Sequence, residues 1–143
     1  MKRVIQYIAV IVALGGLADS IYLTIHHYNA EPVPCSITGM NCEMVLTSSY
    51  SEIAGFPLSG FGAAAYFVAF SLALLSAYGN SITWKLYGGL AAIMAIFSGY
   101  LIYVQAFYIG AFCQFCLLSA ATSFALFILF LISLALRNKT AGV

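Results

Sequence analysis

Four apolar runs limit what this chain can fold into. They cover residues 4–25, 57–78, 86–109 and 112–136. Each is long enough to cross a bilayer, which takes ~20 residues as a helix. Within lipid a segment must satisfy its own backbone polar groups, so a run of this kind is expected to be helical. Charged residues make up 6% of the chain, against roughly 25% in soluble domains. Such a chain could not cover its surface with polar groups in water. The expected fold class is an all-α integral membrane protein: one domain, a four-transmembrane-helix bundle. The first run is too long for a signal-peptide core, and no small-residue cleavage site follows it. A net charge of +1 gives no reason to expect nucleic acid as a partner.

Four spans put both termini on one side. Lys2, Arg3, Lys85, Arg137 and Lys139 are all the Lys and Arg in the chain, and all fall on that side. Glu31, Glu43 and Glu52 fall on the other. The positive-inside rule then places the termini in the cytoplasm and the long 26–56 loop outside. Gly15, Gly16, Gly60, Gly62, Gly88 and Gly89, with neighbouring alanines, let helices approach closely; this is a packing signal and carries no chemistry. Within the loop, Asn41 is a candidate N-cap. Cys42, Val45, Leu46, Ser49 and Ile53 follow at helical spacing, so a short amphipathic helix is expected there.

With this topology all four cysteines lie on the outer side, where disulfides persist. Cys35 and Cys42 are in the loop; Cys113 and Cys116 open the fourth span. A C-x-x-C at a helix start sets its first sulfur beside unsatisfied N–H groups, which favour the thiolate. A disulfide closing so small a loop gains little chain entropy, so it is a poor staple and a good redox couple. Structural disulfides and a zinc–thiolate site are the alternatives from the spacing alone, although the gap between Cys35 and Cys42 is wide for a zinc knuckle. A non-enzymatic four-span scaffold is the corresponding alternative function.

Three other features stand out. Asp19 is the only acid inside a span, ~10 Å below the outer end by helical rise and near the depth of Cys116. An intramembrane carboxyl is a functional candidate, here near a quinone oxygen; the alternative is a protonated Asp hydrogen-bonded within the bundle. His26 and His27 mark the end of the first span and read first as boundary residues. Tyr100, Tyr103, Phe107 and Tyr108 crowd the outer end of the third, mostly as interface belt.

The loop reads Cys35-Ser-Ile-Thr-Gly-Met-Asn-Cys42, then Glu43-Met-Val-Leu-Thr-Ser48-Ser49. Pro57-Leu-Ser59-Gly60-Phe61-Gly62 opens the second span and Cys113-x-x-Cys116 the fourth. Over nearly its whole length this resembles the vitamin K epoxide reductase family, specifically its prokaryotic single-domain branch. The resemblance implies a membrane thiol:quinone oxidoreductase that drives disulfide formation in exported proteins. It implies that Cys35 exchanges disulfides with a thioredoxin-like partner, that Cys42 passes electrons to Cys113, and that Cys116 meets a quinone of the menaquinone or ubiquinone type. Ser48 matches the family's loop hydroxyl. Ser59, Phe61 and Tyr66 match the quinone-pocket side of the second span, and Asp19 and Phe112 are the further candidates for that pocket. Two positions depart from the vertebrate enzymes: Leu58 stands where they have Asn, and Ala120 where they have Tyr, so epoxide reduction is not carried over. No fused thioredoxin-like domain is found in these residues. The partner is therefore expected to be a separate protein on the outer side of the plasma membrane.

Overall fold

The structure, a computed structural model, describes residues 2–29, 44–45 and 47–142. The candidates Cys35 and Cys42, and the proposed N-cap Asn41, lie outside the described residues. Four long helices follow the apolar runs: α1 (Lys2–Asn29), α2 (Leu58–Ala77), α3 (Ser81–Val104) and α4 (Gln114–Ala141). Each is long and apolar enough to cross a membrane. The chain is a multi-pass membrane protein built as an up-and-down bundle. α1 packs on α2 and α4, and α3 packs on the same two, so the helices close a ring.

Small residues set the spacing where α1 meets α2. Ala9 and Ala13 on α1, with Ala69 and Ala73 on α2, have no accessible surface. At this separation dispersion between backbones replaces the hydrophobic drive that lipid cannot supply. The outward faces carry large apolar side chains such as Ile11 and Ile96, which are exposed in the bundle and suited to hydrocarbon.

The two ends differ in how the chain turns. At the end bearing the termini, Gly79 (φ +112°) reverses the chain between α2 and α3. Asn80 then caps α3, its side-chain oxygen accepting from the Ile82 N–H at 3.1 Å. At the other end α3 widens into a π turn, Gln105–Ile109. Gly110 closes it in the left-handed region (φ +72°), donating its N–H to the Gln105 carbonyl at 2.9 Å. The wide turn lets the chain enter α4 within four residues, Gly110 to Cys113.

Met44 and Val45 are helical, but the helical spacing read through Ile53 does not continue as α-helix. Ser49–Ser51 is a 3-10 turn, and Glu52–Ile53 pairs with Phe56–Pro57 as a two-stranded hairpin, β1 and β2. Ala54 (φ +53°) and Gly55 (φ +84°) form its two-residue turn, and positive φ at both central positions is the geometry that matches strand twist.

Candidate functional site

At the loop end the bundle encloses a cavity of about 790 Å³. All four helices and the 45–52 segment line it. Leu23, Leu90, Ile93, Met94, Phe97 and Leu101 give it apolar walls. Polar groups gather in two places: Tyr66, Ser119 and Ser123 on the α2–α4 side, and His26, His27, Glu52 and the Thr47–Ser51 hydroxyls at the loop end, with Ser20, Ser59, Ser98 and Gln105 between them. An apolar cleft of several hundred Å³ with a few convergent polar groups is the common form of a small-molecule site.

The first turn of α4 brings the two described cysteines to this cavity by different routes. Cys113 is the N-cap, extended at φ −110° and ψ 124°, and its carbonyl accepts from Leu117 N–H at 2.9 Å. It has no accessible surface and packs against Val45, Ile109, Ala111, Phe115 and Cys116. Its own N–H donates to Gln105 Oε1 at 3.2 Å, so the π turn positions the side chain that holds the cysteine backbone. Cys116, one turn further in, is half-buried and lines the cavity. Both stand as thiols.

The Cys116 thiol hydrogen-bonds the Cys113 sulfur, and this is the largest influence on Cys113, which sits at about 7, below the ordinary thiol value. Burial acts the other way. The Cys116 and Phe115 amide N–H groups add to the lowering, as expected of a helix start, and the charge of Asp19 opposes it. Cys113 is therefore the more acidic thiol of the pair.

The other expected site residues divide into two groups. Ser59, Phe61 and Tyr66 line the cavity, as does Ser48. The Ser48 hydroxyl donates to the Val45 carbonyl at 2.7 Å, holding the turn that leads away from the segment covering Cys113. Thr24 Oγ1 lies 3.0 Å from Ser59 Oγ. The Tyr66 hydroxyl sits among Thr122 Oγ1 at 2.6 Å, Ser123 Oγ at 2.8 Å and Ser119 Oγ at 3.2 Å, and donates to the Ser119 carbonyl. Phe112 and Asp19 are not brought to the cavity wall. Phe112 precedes α4 and is exposed. Asp19 is half-buried on α1, close enough for its charge to act on both cysteines. Its Oδ2 is buried with no hydrogen-bond partner among the described residues.

Sequence reasoning passed over Gln105, Ser119 and Ser123. A signal existed for Gln105, since a buried amide inside an apolar run is unusual in a span. His27 was read as a boundary residue, yet its Nε2 lies 3.0 Å from Glu52 Oε1, tying α1 to β1 at the rim of the cavity.

Comparison with known proteins gives the family. The model of the vitamin K epoxide reductase family matches residues 7–131. The thiol-disulfide oxidoreductase LTO1 of Arabidopsis thaliana is 32% identical over 122 residues, covering 79% of this chain and 32% of that protein. The chain thus spans about a third of the length of that curated relative. The matched stretch takes in the cavity and the C-x-x-C at its mouth, and the chain belongs to the vitamin K epoxide reductase family.

Proposed function

We propose that the protein is a membrane thiol:quinone oxidoreductase. Electrons come from a separate thioredoxin-like protein through Cys35 and Cys42, pass to Cys113 and Cys116, and leave to a quinone of the menaquinone or ubiquinone type. The oxidised partner then makes disulfides in exported proteins. The orientation follows the basic residues: termini in the cytoplasm, cysteines outside the plasma membrane, one catalytic domain.

The observation that carries this reading is the division of labour in one helical turn. Cys113 is buried against Val45, which follows Cys42 by three residues. Cys116 opens on the apolar cavity. A sulfur beside the loop can exchange with a loop cysteine, and a sulfur beside the cavity can meet a lipid-soluble oxidant. The thiol-disulfide activity named for the Arabidopsis relative supports the first half.

The cavity residues fit a quinone. Apolar side chains flank the space, as an isoprenoid-bearing ring requires. Ser59 and Ser119 on the cavity wall carry hydroxyls that a ring carbonyl could accept from, and Ser119 lies one turn from Cys116 on the same helical face. When bound, a quinone accepts two electrons and two protons. The residues of this chain orient it, exclude water through Leu90, Ile93 and Phe97, and present the Cys116 sulfur. Cys113, with its thiol pKa lowered, is poised for exchange through mixed disulfides.

Purified protein supplied with a reduced thioredoxin-like protein and a quinone tests the reading by quinone absorbance. One quinone reduced per disulfide formed in the partner is expected. No reduction, with free-thiol counts indifferent to quinone, would return the cysteines to structural disulfides.

A further inference from the structure

Cys116 faces the cavity, and a disulfide with Cys113 can form only once the Cys116 thiol proton has left. Some group has to take that proton. The groups on the cavity wall are engaged elsewhere: the Tyr66 and Ser123 hydroxyls bond each other and the Ser119 carbonyl, and His27 Nε2 lies 3.0 Å from Glu52 Oε1 at the rim.

Asp19 meets the requirement. α1 and α4 run in opposite directions and touch at this level through Tyr22 and Phe115, whose ring centroids are 5.4 Å apart. Asp19 is one turn below Tyr22 on α1, a drop of ~5 Å, and Cys116 is the residue after Phe115 on α4. One carboxylate oxygen is sealed from solvent and unpaired among the described residues. A buried acceptor without a donor is costly to maintain, and such groups mark function more often than packing. Asp19 is absent from the cavity wall, so it reaches the cysteines from behind the site.

We propose that Asp19 is the proton store of the C-x-x-C pair, taking the Cys116 thiol proton when the disulfide forms and returning it when the disulfide is reduced. The balance is as follows. In the reduced state Cys113 is a thiolate, Cys116 a thiol and Asp19 a carboxylate. On oxidation the Cys116 S–H bond breaks, its proton moves to Asp19, the Cys113–Cys116 bond forms, and two electrons leave to the quinone, which draws two protons from solvent. On reduction a donor dithiol opens the bond at Cys113 and is itself oxidised to a disulfide. Cys116 departs as a thiolate, Asp19 reprotonates it, and the two donor protons go to water. The inference rests on the thiol:quinone reading for the identity of the oxidant; the proton movement belongs to the protein alone.

Infrared difference spectra of the purified protein, oxidised with a soluble disulfide and no quinone, test it. Oxidation should bring up a carboxylic-acid C=O band that is absent in Asp19→Asn and shifted but present in Asp19→Glu. In quinone assays Asp19→Asn should slow reduction at least about tenfold, while thiol exchange at Cys113 changes less than about twofold and the melting temperature holds. No carboxyl band, a band that survives in Asp19→Asn, or an imidazolium band from His26 in its place would overturn the assignment. Equal loss of both steps with a lowered melting temperature would return Asp19 to packing. Failure of wild-type protein to reduce quinone, with the infrared band present, would instead overturn the oxidant and leave the proton store standing.

Discussion

The bundle is filled at one end and hollow at the other. Towards the termini, Trp84 and Tyr87 stack at 4.6 Å and 9°, with Phe130 packed against both. Trp84 Nε1 donates to Ser133 Oγ at 3.1 Å, and the Tyr87 hydroxyl to the Leu126 carbonyl at 2.9 Å, so each aromatic polar tip is satisfied inside. The space detected there is about 170 Å³, beside Lys2 and Arg3, against about 790 Å³ at the loop end. Hydrophobicity does not distinguish the halves, because both are apolar. Ring size against glycine does. Gly88 lies under the Phe130 ring, so close that an added Cβ would fall 2.2 Å from it. The Phe130 ring pressed onto Gly88 closes the bundle at that level, and the Tyr66–Gly16 pair stands where the cavity begins.

Removing the reactive sulfur should produce the largest effect. In Cys116→Ala, quinone reduction should fall to background and a Cys42–Cys113 bond should accumulate, as read by peptide mass spectrometry under non-reducing conditions. The same variant deletes the hydrogen bond that lowers Cys113. In wild type the Cys113 thiolate is present above about 7 and lost as pH falls through that value. In the variant its midpoint should move up towards the ordinary thiol range, which thiolate absorbance measures.

A pair of glycine substitutions separates the halves directly. Gly88→Ala should destabilise the bundle by about 1–3 kcal/mol through overpacking, yet leave quinone affinity unchanged. Gly16→Ala meets the Tyr66 ring at 2.3 Å. Its cost in thermal stability should be similar, but it should also displace Tyr66 at the cavity and weaken quinone binding. Equal effects of both on binding would break the distinction between the halves.

Filling the hollow end should act in the opposite sense. Ser98→Leu places a larger apolar group at the cavity wall. Melting should change little or rise, while the quinone dissociation constant increases roughly tenfold, about 1.4 kcal/mol. Smallest of all, Glu52→Gln removes the partner of His27 at the rim. With 27% and 48% of the two side chains exposed, the loss in stability should be below about 1 kcal/mol and should vanish in high salt.

Much of the filled half could be read from the sequence, because lipid demands a long apolar run and every run became a helix. The site was legible where chemistry is local: Cys113 and Cys116 define a helix start by themselves. Ser59, Phe61 and Tyr66 were reached only through resemblance, since nothing in their spacing tells a cavity wall from a helix–helix contact. Asp19 was placed at the pocket from depth alone. Depth along a helix is set by residue number, but direction around it depends on packing partners far away in sequence. The hairpin went unread because Ala54 at positive φ gives no composition signal. The role of Gln105 depends on a π turn that no periodicity announces.

The covering of Cys113 has a consequence for leakage. Small thiols dissolved on either side of a membrane outnumber any one protein, and a redox pair open to them would be discharged continually. A sulfur with no accessible surface cannot be struck by a freely diffusing reductant; it can be reached only by a group carried to it on a moving piece of protein. Val45 therefore acts as insulation on a wire. What keeps a charge on this sulfur from draining to the wrong acceptor or donor is then its covering, not a low reactivity.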